Sequence, residues 1–157
     1  MKQVIIDKAK KEKNLYKLHS ISQSWAADLT FCNDENAFLQ DLINLHFIDL
    51  CNYELLPVTR KLNVKIAMAI KKNNLLLFQI QTHEKQLATL FESDHFGGEV
   101  DFRSAHKKLA KSFDQRVQSN RALKNRVFAI IKDIMKQQKQ KRLLSFTDFS
   151  KEDNSKE

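Results

Sequence analysis

One stretch of this sequence has a strict helical repeat. From Leu62 to Leu90, apolar side chains recur at alternating steps of four and three residues, and only Asn73 and His83 are polar members of the series. Because an α-helix completes one turn every 3.6 residues, this spacing places the whole series on one face. The repeat predicts a long helix with a coiled-coil-like seam.

Turn-forming residues are too scarce for most other folds. The 157 residues include two glycines, at 97–98, and one proline, Pro57. β-Sandwiches, barrels and alternating α/β folds need more turn chemistry than this, and a nucleotide-binding loop needs glycines at several fixed positions. The sequence therefore predicts an all-α fold. No apolar run approaches the roughly 20 residues that span a bilayer, so we expect no transmembrane segment.

Interruptions of the apolar repeat divide the chain into four predicted helices. Residues 33–36 are of helix-capping types, Pro57 suits a first helical turn, and the two glycines suit a hairpin. We expect helices at about 8–32, 34–55, 57–92 and 100–142, in one domain at 1–150. The polar tail at 151–157 is expected to be disordered. Short connections favour an antiparallel four-helix up-down bundle with a long basic C-terminal helix.

Charge is segregated along the chain. The net charge is +8, but residues 18–57 contain six acidic side chains and no Lys or Arg, whereas residues 103–142 contain 13 basic and two acidic ones. Two interpretations are open. The cations of the fourth helix pair with the acidic segment across the bundle surface, or they bind nucleic acid or another anionic surface. The candidate anion-binding residues are Lys107, Lys111, Arg121 and Lys124.

Three of the five histidines, His46, His83 and His106, fall on predicted inner faces of different helices. Counted from the predicted turns, their levels span about 8 Å. Three converging imidazoles can bind zinc or another transition metal ion. The alternative is a structural contact between His83 and His106, because a polar residue on a seam commonly sets helix register. We expect no cofactor, with one metal ion such as zinc as the alternative.

The remaining positions point to packing rather than catalysis. No serine lies in a glycine elbow, and neither cysteine has a histidine at a telling spacing, so we predict no catalytic residue and no enzyme activity. The predicted structural core and seam residues are Trp25, Asn73, His83, His106 and Phe113.

Several short motifs of this chain resemble a known group. They are His19-x5-Trp25-x2-Asp28-Leu29-x-Phe31, Asp34-Glu35-x2-Phe38-Leu39, His83-x3-Leu87 and Phe102-x3-His106. Over roughly residues 15–135 the sequence resembles uncharacterised small helical-bundle or coiled-coil proteins of Bacteroidota. The resemblance implies a helical bundle or coiled coil, with no activity and no catalytic residue to carry over.

These features together predict a protein–protein interaction or scaffold module. The predicted fourth helix is much longer than the second, so we expect an exposed apolar overhang around Phe128, Ile131 and Met135. A homodimer, or a complex with another protein, should form there, with the segment Val4-Ile5-Ile6 as a further contact. The alternatives are a bundle with a histidine metal site and a nucleic-acid or anion binder. The first residues do not form a secretory signal, so we expect a cytoplasmic protein.

Overall fold

The computed structural model describes residues 2–92 and 98–152. Within those ranges it contains helices and no strand, which confirms the all-α prediction. The helices are α1 (Lys2–Leu45), α2 (Phe47–Asn52), α3 (Leu56–Glu92) and α4 (Glu99–Glu152).

The predicted break at residues 33–36 is wrong. Helix α1 passes through it without interruption for 44 residues. The side chains that suit a helix cap bind neighbouring helices instead. Asn36 is buried and donates to Asn120 of α4 at 3.0 Å, and Asn33 accepts from Asn73 of α3 at 2.9 Å. Because these groups find partners on other helices, the chain has no need to end a helix here.

The chain reverses direction after α2 instead. Glu54 has a positive φ of 56°. The N–H of Leu55 donates to the carbonyl of Leu50 at 2.8 Å, and the N–H of Glu54 donates to the carbonyl of Cys51 at 3.1 Å. This pair of bonds is a Schellman motif, which satisfies the last carbonyls of a helix. Helix α3 then starts at Leu56, so Pro57 lies in its first turn as predicted.

The predicted helices at about 8–32 and 34–55 are therefore mainly one long helix followed by the six-residue α2. Three long helices, rather than four, form the packed body. The prediction for 57–92 agrees with α3 to within one residue. Helix α4 continues beyond the predicted residue 142 to Glu152, so the first two residues of the predicted tail at 151–157 are helical, and residues 153–157 lie outside the described ranges.

Three clusters of buried side chains follow one another along the body. The first cluster holds Leu15, Leu87 and Phe102, the second Trp25, Leu29, Leu76 and Ile80, and the third Leu39, Ile43, Leu50, Leu62, Ile66, Val127, Ile131 and Ile134. From the first cluster to the third, residue numbers rise in α1 and α4 and fall in α3. Every pair of long helices is in contact.

The third cluster corrects one expectation about the surface. Ile131, predicted to be exposed, is only 4% exposed because the end of α1, α2 and the start of α3 pack around that part of α4. Phe128 and Met135 do remain exposed, at 39% and 55%.

A polar layer lies between the second and third clusters. Each long helix contributes one buried asparagine: Asn36 from α1, Asn73 from α3 and Asn120 from α4. Asn120 donates to Asn73 at 3.2 Å and accepts from Asn36 at 3.0 Å. Buried amides are costly unless paired, so these bonds hold the three helices at one relative height.

No helix within the described ranges combines the length and the apolar character needed to cross a lipid bilayer.

We predict that Asn120→Leu lowers the free energy of unfolding by roughly 1–3 kcal/mol, because it removes the acceptor of Asn36 and a donor to Asn73. Urea denaturation followed by circular dichroism measures the change. Asn74→Leu is the matched control, since Asn74 is exposed and its bond to Asn33 lies at the surface. Equal stability of Asn120→Leu and the wild type would contradict a layer that depends on all three amides.

Candidate functional site

The most concentrated set of chemically active side chains is a histidine pair between the first and second clusters. Nε2 of His83 on α3 lies 3.1 Å from Nδ1 of His106 on α4, and the two residues are 3% and 7% exposed. The seam positions left a structural contact and a metal site open, and the structure shows the contact.

Aromatic rings enclose the pair. The ring of Phe102 stacks on His83 with 4.0 Å between centroids and 6° between planes. The indole of Trp25 on α1 lies 4.7 Å from the ring of His106 and 5.6 Å from that of Phe113. Trp25 is buried and Phe113 half-buried, as expected for core residues. All three long helices therefore meet at this level.

The hydrogen bonding of the pair favours one tautomer. Nδ1 of His83 is buried and has no hydrogen-bond partner within the described residues. When Nε2 of His83 carries the proton, it donates to Nδ1 of His106. Nδ1 of His83 then carries only a lone pair, so this ring has no buried N–H without an acceptor. Both rings are then neutral.

Burial also keeps the pair neutral. It lowers the pKa of His83 below the ordinary value, and the neighbouring His106 lowers that pKa further, against an opposing effect of Glu84. Burial likewise lowers the pKa of His106, where Glu84 opposes the shift and Arg103 adds to it. Desolvation favours the uncharged imidazole in both cases.

The structure does not bring the third predicted metal ligand to this pair. His46 lies between α1 and α2, with its Nδ1 3.7 Å from a carboxylate oxygen of Asp49. Because α1 is unbroken, His46 lies about 30 Å beyond Trp25 along the helices, whereas His106 contacts Trp25 directly. The predicted convergence depended on a chain reversal at residues 33–36, which does not occur. Within the described ranges, no group of three His, Cys, Asp or Glu side chains is placed to hold a metal ion.

A second polar cluster beside the histidine pair was missed by the sequence reasoning. The carboxylate of Glu84 on α3 accepts from the hydroxyl of Ser22 and bonds to Nδ1 of His19, both on α1. Ser22 is fully buried. The available signal was Ser22 itself, a polar residue at an apolar position of the repeat in α1.

The order in which the Ser22 hydroxyl, the Glu84 carboxylate and the His19 imidazole are bonded decides whether they can form a catalytic relay. A nucleophile–base pair needs the imidazole to contact the hydroxyl, with the carboxylate behind the imidazole. Here the carboxylate of Glu84 lies between the hydroxyl of Ser22 and the imidazole of His19. The cluster joins α1 to α3 and does not form that relay.

The predicted anion-binding residues of α4 have two different surroundings. Lys107, Lys111 and Arg121 are exposed. Nζ of Lys124 instead lies 2.6 Å from a carboxylate oxygen of Glu35 on α1. At Lys124 the structure therefore supports charge pairing with the acidic segment.

Comparison with known proteins adds no relative to this description. No protein family, no curated protein and no solved structure matches the chain.

We predict that the protein loses stability as the pH falls from 7 to 5. The pKa of each buried histidine is lower in the folded chain than in the unfolded one, so the unfolded state binds more protons below about pH 6.5. The contribution is fully present above that pH and is lost as the pH falls. Urea denaturation at a series of pH values measures the slope.

The double variant His83→Leu/His106→Leu should flatten that slope, because it removes both buried imidazoles. A slope that is the same in the double variant and the wild type would assign the pH dependence to other groups.

Proposed function

We propose that this chain is a non-enzymatic interaction module: an antiparallel up-down bundle of three long helices that binds a protein partner, first of all a second copy of itself, through an apolar face between α1 and basic α4. The observation that carries the proposal is a set of large apolar side chains exposed along both edges of one seam.

The ion pair between Glu35 and Lys124 marks where the edges of α1 and α4 meet. Residues three or four positions apart lie on the same side of a helix. Phe31 and Phe38 are therefore neighbours of Glu35, and Phe128 is a neighbour of Lys124. Leu45 and Met135 continue the two rows at intervals of seven. The exposed fractions are 63% for Phe31, 57% for Phe38, 77% for Leu45, 39% for Phe128 and 55% for Met135.

These five residues are called the α1–α4 face. Along α1 it extends about 21 Å from Phe31 to Leu45. Rows of large exposed apolar side chains on two adjacent helix edges are typical of protein–protein contact. A further contact is predicted at Val4-Ile5-Ile6. The structure describes the side chain of Ile6 in this segment, and that side chain is 58% exposed.

Charge supports a second copy as the partner. On the α1 side, Asp34 and Asp41 are exposed, and on the α4 side, Arg121 and Lys132 are exposed. A two-fold rotation places α1 of one copy against α4 of the other. The acidic residues of α1 in each copy then face the basic residues of α4 in the other copy. The charges of the face are therefore complementary to those of a second copy.

We predict that the wild type is a dimer at tens of micromolar and that Phe38→Glu/Phe128→Glu is a monomer, because each substitution buries a charge in the apolar contact. Sedimentation equilibrium measures the mass. Val64→Glu on α3 is the control, since Val64 is 60% exposed and lies away from the face. A monomeric wild type would remove self-association from the proposal.

Binding of nucleic acid through α4 is the second candidate, favoured by the exposure of Lys107, Lys111 and Arg121. Phosphate contacts of this kind carry no sequence specificity and weaken steeply with salt.

For that candidate we predict that duplex DNA binds at low salt and that the charge reversal Lys107→Glu/Lys111→Glu/Arg121→Glu abolishes binding. Fluorescence anisotropy at 50 mM and 200 mM salt measures it. The control reverses Lys61, Lys71 and Lys85, three exposed lysines of α3. If duplex and single strands both fail to bind at low salt, α4 is not a nucleic-acid surface.

A further inference from the structure

A continuous groove runs between α3 and α4, lined entirely by side chains of those two helices and by Gly98. It consists of four hollows in a row, of which the three larger have volumes of about 390, 440 and 430 Å³. Each hollow shares two lining residues with the next one. The shared residues are Lys72 and Arg116, then Gln79 and Ser112, then Gln86 and Ala105. From Lys65 to Leu90 the groove is about 37 Å long, the length of a helix of about 25 residues.

The α3 wall of the groove carries a row of exposed apolar side chains. Met68, Leu75 and Phe78 of α3 line it and are 51%, 59% and 65% exposed. Their spacing of seven and three residues puts them in one row along the helix. The facing positions of α4 include Ala105 and Ser112, whose small side chains leave room for a ridge of another helix.

The end of the groove near the third cluster is strongly cationic. Lys65, Lys72, Arg116 and Arg126 line its hollow, and no carboxylate does. Unlike Lys124, none of the four makes an ion pair within the described ranges. Nη1 of Arg116 is buried there without a hydrogen-bond partner. A buried guanidinium nitrogen without an acceptor is costly, and a bound carboxylate would remove that cost.

We propose that the α3–α4 groove binds an amphipathic helix of a partner protein whose polar flank is acidic. The apolar row of α3 receives the apolar face of that helix, in the helix-in-groove mode. Its carboxylates pair with Lys72, Arg116 and Arg126 at the cationic end. This groove is lined by different side chains from the α1–α4 face, so a dimer and a bound helix are compatible.

The test uses a fluorescein-labelled synthetic 25-residue peptide with leucine at alternating steps of three and four and glutamate at the flanking positions. A second peptide carries lysine in place of glutamate, and a third is a scrambled version of the first. Anisotropy is measured on the Phe38→Glu/Phe128→Glu variant, so that self-association does not enter. The glutamate peptide should bind, and the lysine and scrambled peptides should not.

Two double variants locate the site. Lys72→Glu/Arg126→Glu should weaken binding of the glutamate peptide by about tenfold or more, because it places like charges at the cationic end. Lys61→Glu/Lys85→Glu makes the same change in net charge on exposed positions of α3 outside the groove and should have little effect. Circular dichroism confirms that each variant is folded. Phe78→Glu, which leaves the cations in place, should also weaken binding.

Three results would overturn the proposal. They are absence of binding by the glutamate peptide, equal losses in the two charge variants, and equal binding by the scrambled peptide. Full displacement of the peptide by a 25-nucleotide single strand together with no effect of Phe78→Glu would show a surface for polyanions in general. A monomeric wild type that still binds the glutamate peptide would contradict the proposed dimer and leave the groove proposal standing.

Discussion

The buried hydrogen bonds among Asn36, Asn73 and Asn120 fix the register of the three long helices along their axes. Apolar seams tolerate sliding, because one leucine packs much like the next. A shift of one turn would separate the three amides, and each unpaired group costs roughly 1–3 kcal/mol against a total stability of about 5–15 kcal/mol. The height of the histidine pair, the pairing of Glu35 with Lys124 and the two surface features all follow from that register.

The histidine layer repeats the same arrangement closer to the first cluster. His83 and His106 join α3 to α4, and Glu84 joins α3 to His19 and Ser22 of α1. The two layers differ in their response to pH. The amides carry no charge at any pH, whereas the two imidazoles become costly to bury once they are protonated. The contribution of the histidine pair therefore depends on pH, whereas the bonds among the three asparagine amides do not.

The α1–α4 face and the α3–α4 groove differ in the charges that surround them. Where α1 meets α4 at Glu35 and Lys124, the acidic part of α1, residues 18–45, lies beside basic α4, and the two side chains form an ion pair. Where α3 meets α4, both helices are basic, and Lys65, Lys72 and Arg126 face a hollow that contains no carboxylate. The first surface is the one proposed for self-association and the second the one proposed for an acidic helix, and α4 contributes to both.

The sequence was enough to predict the helical class, the buried seam of α3, the new helix at Pro57 and the similar level of His83 and His106. Each of these depends on spacing within one helix or across one hairpin, which a linear repeat records. The unbroken course of α1 and the distance of His46 from His83 and His106 became evident from the packed helices alone. Asn33 and Asn36 are equally suited to cap a helix or to bind a neighbouring one. The choice depends on Asn73 and Asn120, which lie far away in sequence and reach the same height only after the helices have packed.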